Sequence, residues 1–218
     1  STSGVISGIQ FASTDSAGVA AVLSLSLGGG ASTSMNQAAT AAAQAGNIVV
    51  VAAGNSNNDA CDSSPAGAGG SARTTYGVIT VMASESNDSR ASYSSFGRCT
   101  DIIAPGTSIT SSWKGSVSAT NTISGTSMAT PHVAGVAAVL LQKHNGNKTA
   151  AMDELFAIAA RNKIRDVKSG SKNLLLQTPL YVGQPTPPTL SPTMPPSPPP
   201  ATLCVNSVCA SPFFAATY

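Results

Sequence analysis

Apolar and polar positions along this chain follow two periods in turn. Residues 22–27 form a short apolar-rich run that ends in Gly28, Gly29 and Gly30. Residues 48–53 are continuously apolar and mostly β-branched, the pattern of a strand buried on both faces of a parallel sheet. Residues 78–82 and 101–104 are two further short strand candidates. Helical spacing alternates with these runs. Val5, Ile6, Ile9 and Phe11 predict a first helix, and residues 34–45 an Ala-rich one stopped by Gly46. A long apolar helix is expected to start near Thr126 or Ser127 and run towards Lys143. Another follows over 149–160, with Thr149 as its N-cap. Alternating β and α units predict an α/β fold whose parallel sheet is covered on both faces.

Composition narrows the function. Charged residues make up 9% of the chain, against about 25% in an average soluble domain. The formal net charge is only +2, so there is no basic stripe for a nucleic-acid backbone. The longest apolar run, residues 133–141, is far too short to span a bilayer. Proline divides the chain into three parts. Residues 1–178 are one body, 179–203 a Pro-rich linker, and 204–218 a Cys-containing tail or the start of a further domain. Nine of the sixteen residues from 185 to 200 are proline, which favours extended polyproline II reaching on the order of 50 Å. Such a stalk suits attachment to a further C-terminal domain or to cell-surface material. Four cysteines and two sequons, at Asn87 and Asn147, point to a secreted chain. Ser1 has neither an initiator Met nor a signal-type segment before the body, so processing or truncation is expected upstream of it.

The chemistry concentrates in Gly125-Thr126-Ser127-Met128-Ala129-Thr130-Pro131-His132-Val133-Ala134-Gly135. A serine here opens a long helix, and Pro131 is expected in the first turn, where its missing N–H costs nothing. Unpaired backbone N–H groups and the positive end of the helix dipole favour an anion forming beside the serine oxygen, as in acyl transfer. A bare Gly-Thr-Ser before a helix would be read as a simple N-cap. The whole string instead resembles the nucleophile motif of the subtilisin-like serine endopeptidases. Two more segments match that family in order: Ser24-Leu25-Ser26-Leu27-Gly28-Gly29 and Val51-Ala52-Ala53-Gly54-Asn55. The likeness is greatest to the proteinase K and aqualysin branch, and it implies a subtilisin-like parallel-sheet fold with its N-terminal portion missing.

By that resemblance Ser127 is the nucleophile and Asn55 the oxyanion-hole donor. Ser26, Leu27 and Gly28 would pair with the backbone of a bound polypeptide, and Ala52, Ala53 and Gly54 would line a pocket wall. The resemblance also implies a disulfide between Cys61 and Cys99, worth about 3–4 kcal/mol in the chain-entropy model. It further implies a structural calcium ion at Asp101 with the carbonyls of Tyr76 and Val78; the chemistry itself requires no cofactor. The general base is missing. The family's Asp-Ser/Thr-Gly and His-Gly-Thr-His motifs do not occur, and no histidine precedes Ser127. His132 stands five residues further along the same helix, about 140° around the axis and about 7.5 Å along it, so its ring is not expected to meet Ser127. His144 lies at the helix's far end. The chain is therefore expected to be the nucleophile and oxyanion part of an extracellular protease, inactive alone. The alternative is a non-catalytic binding or scaffold protein of the same fold. Nucleotide binding fails on motif grounds, since neither Gly-x-Gly-x-x-Gly nor a Lys-Ser/Thr follows Gly30.

Overall fold

A computed structural model describes residues 1–15, 20–178, 204–205 and 208–209. The body begins with α1 (Thr2–Asp15), β1 (Val22–Leu25), the short β2 (Gly29–Gly30), α2 (Thr33–Gln44) and β3 (Ile48–Ala52). Then come β4 (Ser63–Ser64), the single-turn α3 (Ala72–Thr75), β5 (Ile79–Ser84) and β6 (Ile102–Pro105). A hairpin of β7 (Ile109–Ser112) and β8 (Thr120–Ile123) precedes α4 (Thr126–Lys143) and α5 (Lys148–Ile158), and β9 (Ala160–Arg161) and β10 (Leu174–Leu175) close the body. A separate unit pairs β11 (Cys204–Val205) with β12 (Val208–Cys209) antiparallel. The Pro-rich linker expected over 179–203 and most of the tail lie outside the described residues.

The main sheet has the order β1-β3-β5-β6-β10-β9. Its first four strands are parallel, with Val51 opposite Thr80 and Val81 opposite Ile102; β10 is parallel to β6, and β9 antiparallel to β10. Strict alternation sorts the side chains. Ile48 and Val50 of β3, with Ile79, Val81, Ile102 and Ala104, face α4 and α5. Val49 and Val51 face the other way, onto Ile9 of α1 and Ala39, Ala42 and Ala43 of α2. Every residue of β3 and β5 is buried, the expected state of strands covered on both sides. α4 presents Ala129, Val133, Ala137, Leu140 and Leu141 to the sheet at spacings of three and four.

Three local expectations change. α5 starts two residues earlier than the sequence predicts, with Asn147 as its N-cap in place of Thr149, because Asn147 Oδ1 accepts from Ala150 N at 3.0 Å. α2 likewise takes Ser32, just before the expected start, as its cap. Pro131 is the sixth residue of α4, beyond the first turn, so its missing N–H does remove a helical hydrogen bond. That bond would have ended on the carbonyl of Ser127.

Candidate active site

The C-terminal ends of β1 and β3 and the N-terminal end of α4 meet at one edge of the sheet. This is where an open α/β sheet collects ligands and where a helix offers unpaired N–H groups. Ser127 occupies the second position of α4 and is half-buried. Its hydroxyl donates to the carbonyl of Ser26 at 3.3 Å. In return the Ser26 hydroxyl donates at 2.8 Å to the Ser127 carbonyl, the same group that Pro131 leaves without a helical donor. The proline and the serine 105 positions before it thus act on one atom: Pro131 frees the carbonyl, and Ser26 ties it to the end of β1.

Asn55 stands just past β3 and is exposed. Its Oδ1 accepts from the amide and from the hydroxyl of Thr126, each at 2.9 Å. Thr126 is fully buried, and its Oγ1 accepts in turn from Gly54 N at 3.2 Å. With the carbonyl end of Asn55 held this way, its amide Nδ2 is the free end. A methyl-sized atom placed at the missing Cβ of Gly125 would lie 3.4 Å from Asn55 Nδ2 and 3.6 Å from Ser127 N. A side-chain amide, a helix-terminal backbone nitrogen and, at 3.7 Å, Met128 Sδ therefore surround this one point. Gly54 turns the chain into this arrangement at φ +105, where a Cβ would also press to 3.1 Å from Ser95 Oγ. Thr126 was not singled out from the sequence as a functional residue. The only signal for it there was its place inside the Gly-Thr-Ser string.

Beyond β1, Ser26, Leu27 and Gly28 are half-buried and have left the sheet ladder. Ala52 and Ala53 are buried, and Ala53 packs with Ala60, Ala66, Met82 and Ile103, so only Gly54 of that predicted wall reaches the surface appreciably. Neither histidine is directed at Ser127. The His132 ring engages the Met128 carbonyl through Nδ1 at 2.8 Å, and His144 Nε2 meets Glu154 Oε2 at 2.7 Å. Lys143 Nζ joins the same carboxylate at 2.6 Å; these two hydrogen bonds, Lys143 first, hold Glu154 below its ordinary pKa.

Cys61 and Cys99 are disulfide-bonded, with Cα atoms 5.3 Å apart and a sequence separation of 38. Asp101 is fully buried, and donors surround its carboxylate. Oδ2 accepts from Gly70 N at 2.8 Å and Thr80 N at 3.1 Å, while Oδ1 accepts from Ala72 N at 3.2 Å and Lys172 Nζ at 2.7 Å. Four donors match the four acceptor sites of a carboxylate. In this arrangement Asp101, Tyr76 and Val78 do not fit a calcium ion, because the one anionic ligand has no lone pair left for it. Among the described residues no group of three or more His, Cys, Asp or Glu side chains is placed to hold a metal, and no helix is long and apolar enough to cross a membrane.

Comparison with known proteins places this geometry in a family. The model of the subtilase family matches residues 1–178. An extracellular serine proteinase of Thermus sp. (strain Rt41A) is 49% identical over 180 residues, which cover 82% of this chain and 42% of that protein. An alkaline serine protease of Corniculantispora psalliotae is 45% identical over 179 residues, covering 80% and 44%. The crystal structure of a cold-adapted subtilisin-like serine proteinase superposes with a TM-score of 0.72 at 44% identity, over 80% of this chain and 60% of that one. The chain thus spans less than half the length of these two curated relatives. A serine at the head of α4, an asparagine at the end of β3 and a match over the whole body agree: the chain belongs to the subtilase family, with a subtilisin-like α/β fold.

Proposed function

We propose that this chain forms the nucleophile and oxyanion part of an extracellular serine endopeptidase. The observation that carries the reading is that Asn55 Nδ2 and Ser127 N lie 3.4 and 3.6 Å from one point, the Cβ position that Gly125 leaves empty. In the acylation step Ser127 Oγ attacks the scissile carbonyl, and the carbonyl oxygen takes up negative charge as the tetrahedral intermediate forms. The two N–H donors stabilise that charge. A histidine outside this chain takes the serine proton and delivers it to the leaving amine, and an aspartate outside it orients that histidine. The acyl-enzyme is then hydrolysed by water. A polypeptide substrate lies along Ser26, Leu27 and Gly28, with its side chain beside Gly54, the one part of the Ala52-Ala53-Gly54 wall that reaches the surface. No step so drawn requires a cofactor. An extracellular relative and the disulfide support an extracellular setting, and the Pro-rich segment serves as a spacer.

A fluorophosphonate probe tests the reading. The full-length polypeptide containing this sequence should be labelled at Ser127 and should hydrolyse peptides, and Ser127→Ala should abolish both. Purified residues 1–218 should do neither. Peptide hydrolysis by residues 1–218 that is lost in Ser127→Ala would overturn the split of roles. A full-length product that is inert to probe and peptide would leave a binding or scaffold protein.

A further inference from the structure

We propose that Lys172 is a built-in counter-cation at Asp101, standing in for a metal ion, so that this part of the fold keeps its shape without calcium. Asp101 is fully buried, and a carboxylate so placed needs a positive charge or several donors to stay ionised. It has both. Gly70, Ala72 and Thr80 supply backbone N–H groups from the turn before α3, from α3 and from β5, and Lys172 supplies the charge at 2.7 Å. The same ammonium donates to the carbonyl of Gly70, so it bridges an anion and a backbone oxygen, the two ligand types a hard cation would collect. One lysine charge neutralises one carboxylate. A calcium ion there would have to displace it and would leave an uncompensated positive charge beside the core. The approach is also unfavourable. Lys172 reaches in from a cleft of about 430 Å³ that Ser71, Thr74 and Arg161 also line, so an entering divalent ion meets two cationic side chains. The lysine side chain remains 35% exposed, and its stem runs along the cleft wall.

Calcium titration of the full chain tests this, read at the backbone amides of Gly70, Ala72 and Thr80 by NMR and by thermal melting. In the unmodified chain these amides should not move as calcium is raised to about 10 mM, above the range of weak extracellular sites. Chelator should leave the melting temperature unchanged. Lys172→Met should melt about 5–10 °C lower, because a buried carboxylate loses its partner. In that variant calcium should shift the same three amides and recover part of the loss. Lys172→Arg should behave as the unmodified chain, which separates loss of charge from loss of packing. Saturable calcium shifts at the three amides of the unmodified chain would overturn the proposal, even if Lys172→Met failed to fold. So would a Lys172→Met variant with unchanged melting and no calcium response.

Discussion

Two clusters of donors in this molecule look alike and do opposite things. At Asp101 three backbone N–H groups and an ammonium converge on a carboxylate that the chain itself supplies. At the head of α4, Asn55 Nδ2 and Ser127 N converge on a niche that the chain lines but does not fill, because Gly125 has no side chain. The first arrangement is closed: every donor meets a permanent charge, and the product is stability. The second is open: its donors are held in place by Thr126 and the helix, and on the function proposed above they await a charge that exists only while a substrate is reacting. Fixed dipoles lower a barrier only when they are stronger partners for the transition state than for the ground state. A donor set already satisfied by its own protein cannot do this.

Four changes would break or sharpen that contrast. Asn55→Ala in the full-length polypeptide removes the side-chain donor at the open cluster. It should lower kcat about 100- to 1000-fold with little change in KM, measured by steady-state peptide hydrolysis, and lower the melting temperature as well, because two donors of buried Thr126 lose their acceptor. At the closed cluster, Asp101→Asn swaps the central charge for an amide whose NH2 faces other donors. This should cost about 3 kcal/mol of stability by denaturant unfolding. The next test concerns the tie between Ser26 and Ser127. Ser26→Ala should cost about 1 kcal/mol, and the loss should shrink in a Pro131→Ala background, where the restored N–H at 131 can serve the Ser127 carbonyl. Equal losses in both backgrounds would show that the two residues do not share that atom.

The smallest effect is expected at the far end of α4, where Lys143 and His144 both engage Glu154. Its carboxyl is held below the ordinary range, so it binds protons less readily folded than unfolded. The stability it contributes is present above the unfolded value, about 4.3, and is lost as pH falls through the lower folded value. Glu154→Gln should therefore lower the melting temperature slightly near neutrality, and the difference from the unmodified chain should shrink to nothing as pH falls below about 4.

Much of the frame could be read directly because the local signals were strong. The β-branched run of β3, the apolar stripe of α4 and the Gly-Thr-Ser string each contain their own evidence within a few positions. Weaker elements were not legible. The pairs β2 with β4 and β9 with β10 are two residues long, too short for any periodicity to show. The hairpin of β7 and β8 has a largely exposed, polar sequence, so the alternation of β8 does not stand out as hydrophobic periodicity. The start of α4 is legible at Thr126, and counting from it puts Pro131 sixth, beyond the first turn. The sorting of Ala52 and Ala53 into the interior depended on which neighbours cover the end of β3.

The sequence by itself determined the family, the serine and the asparagine, and the alternation of buried strand and helix. These are matters of residue type and spacing over short stretches. Only the tertiary structure decided what each polar group does. Ser26 and Ser127 lie 101 positions apart, and Asp101 and Lys172 are 71 apart, yet each pair closes a hydrogen bond below 3 Å. Whether a donor set is open or already occupied depends on such long-range partners, and sheet order, which no local pattern encodes, brings them together.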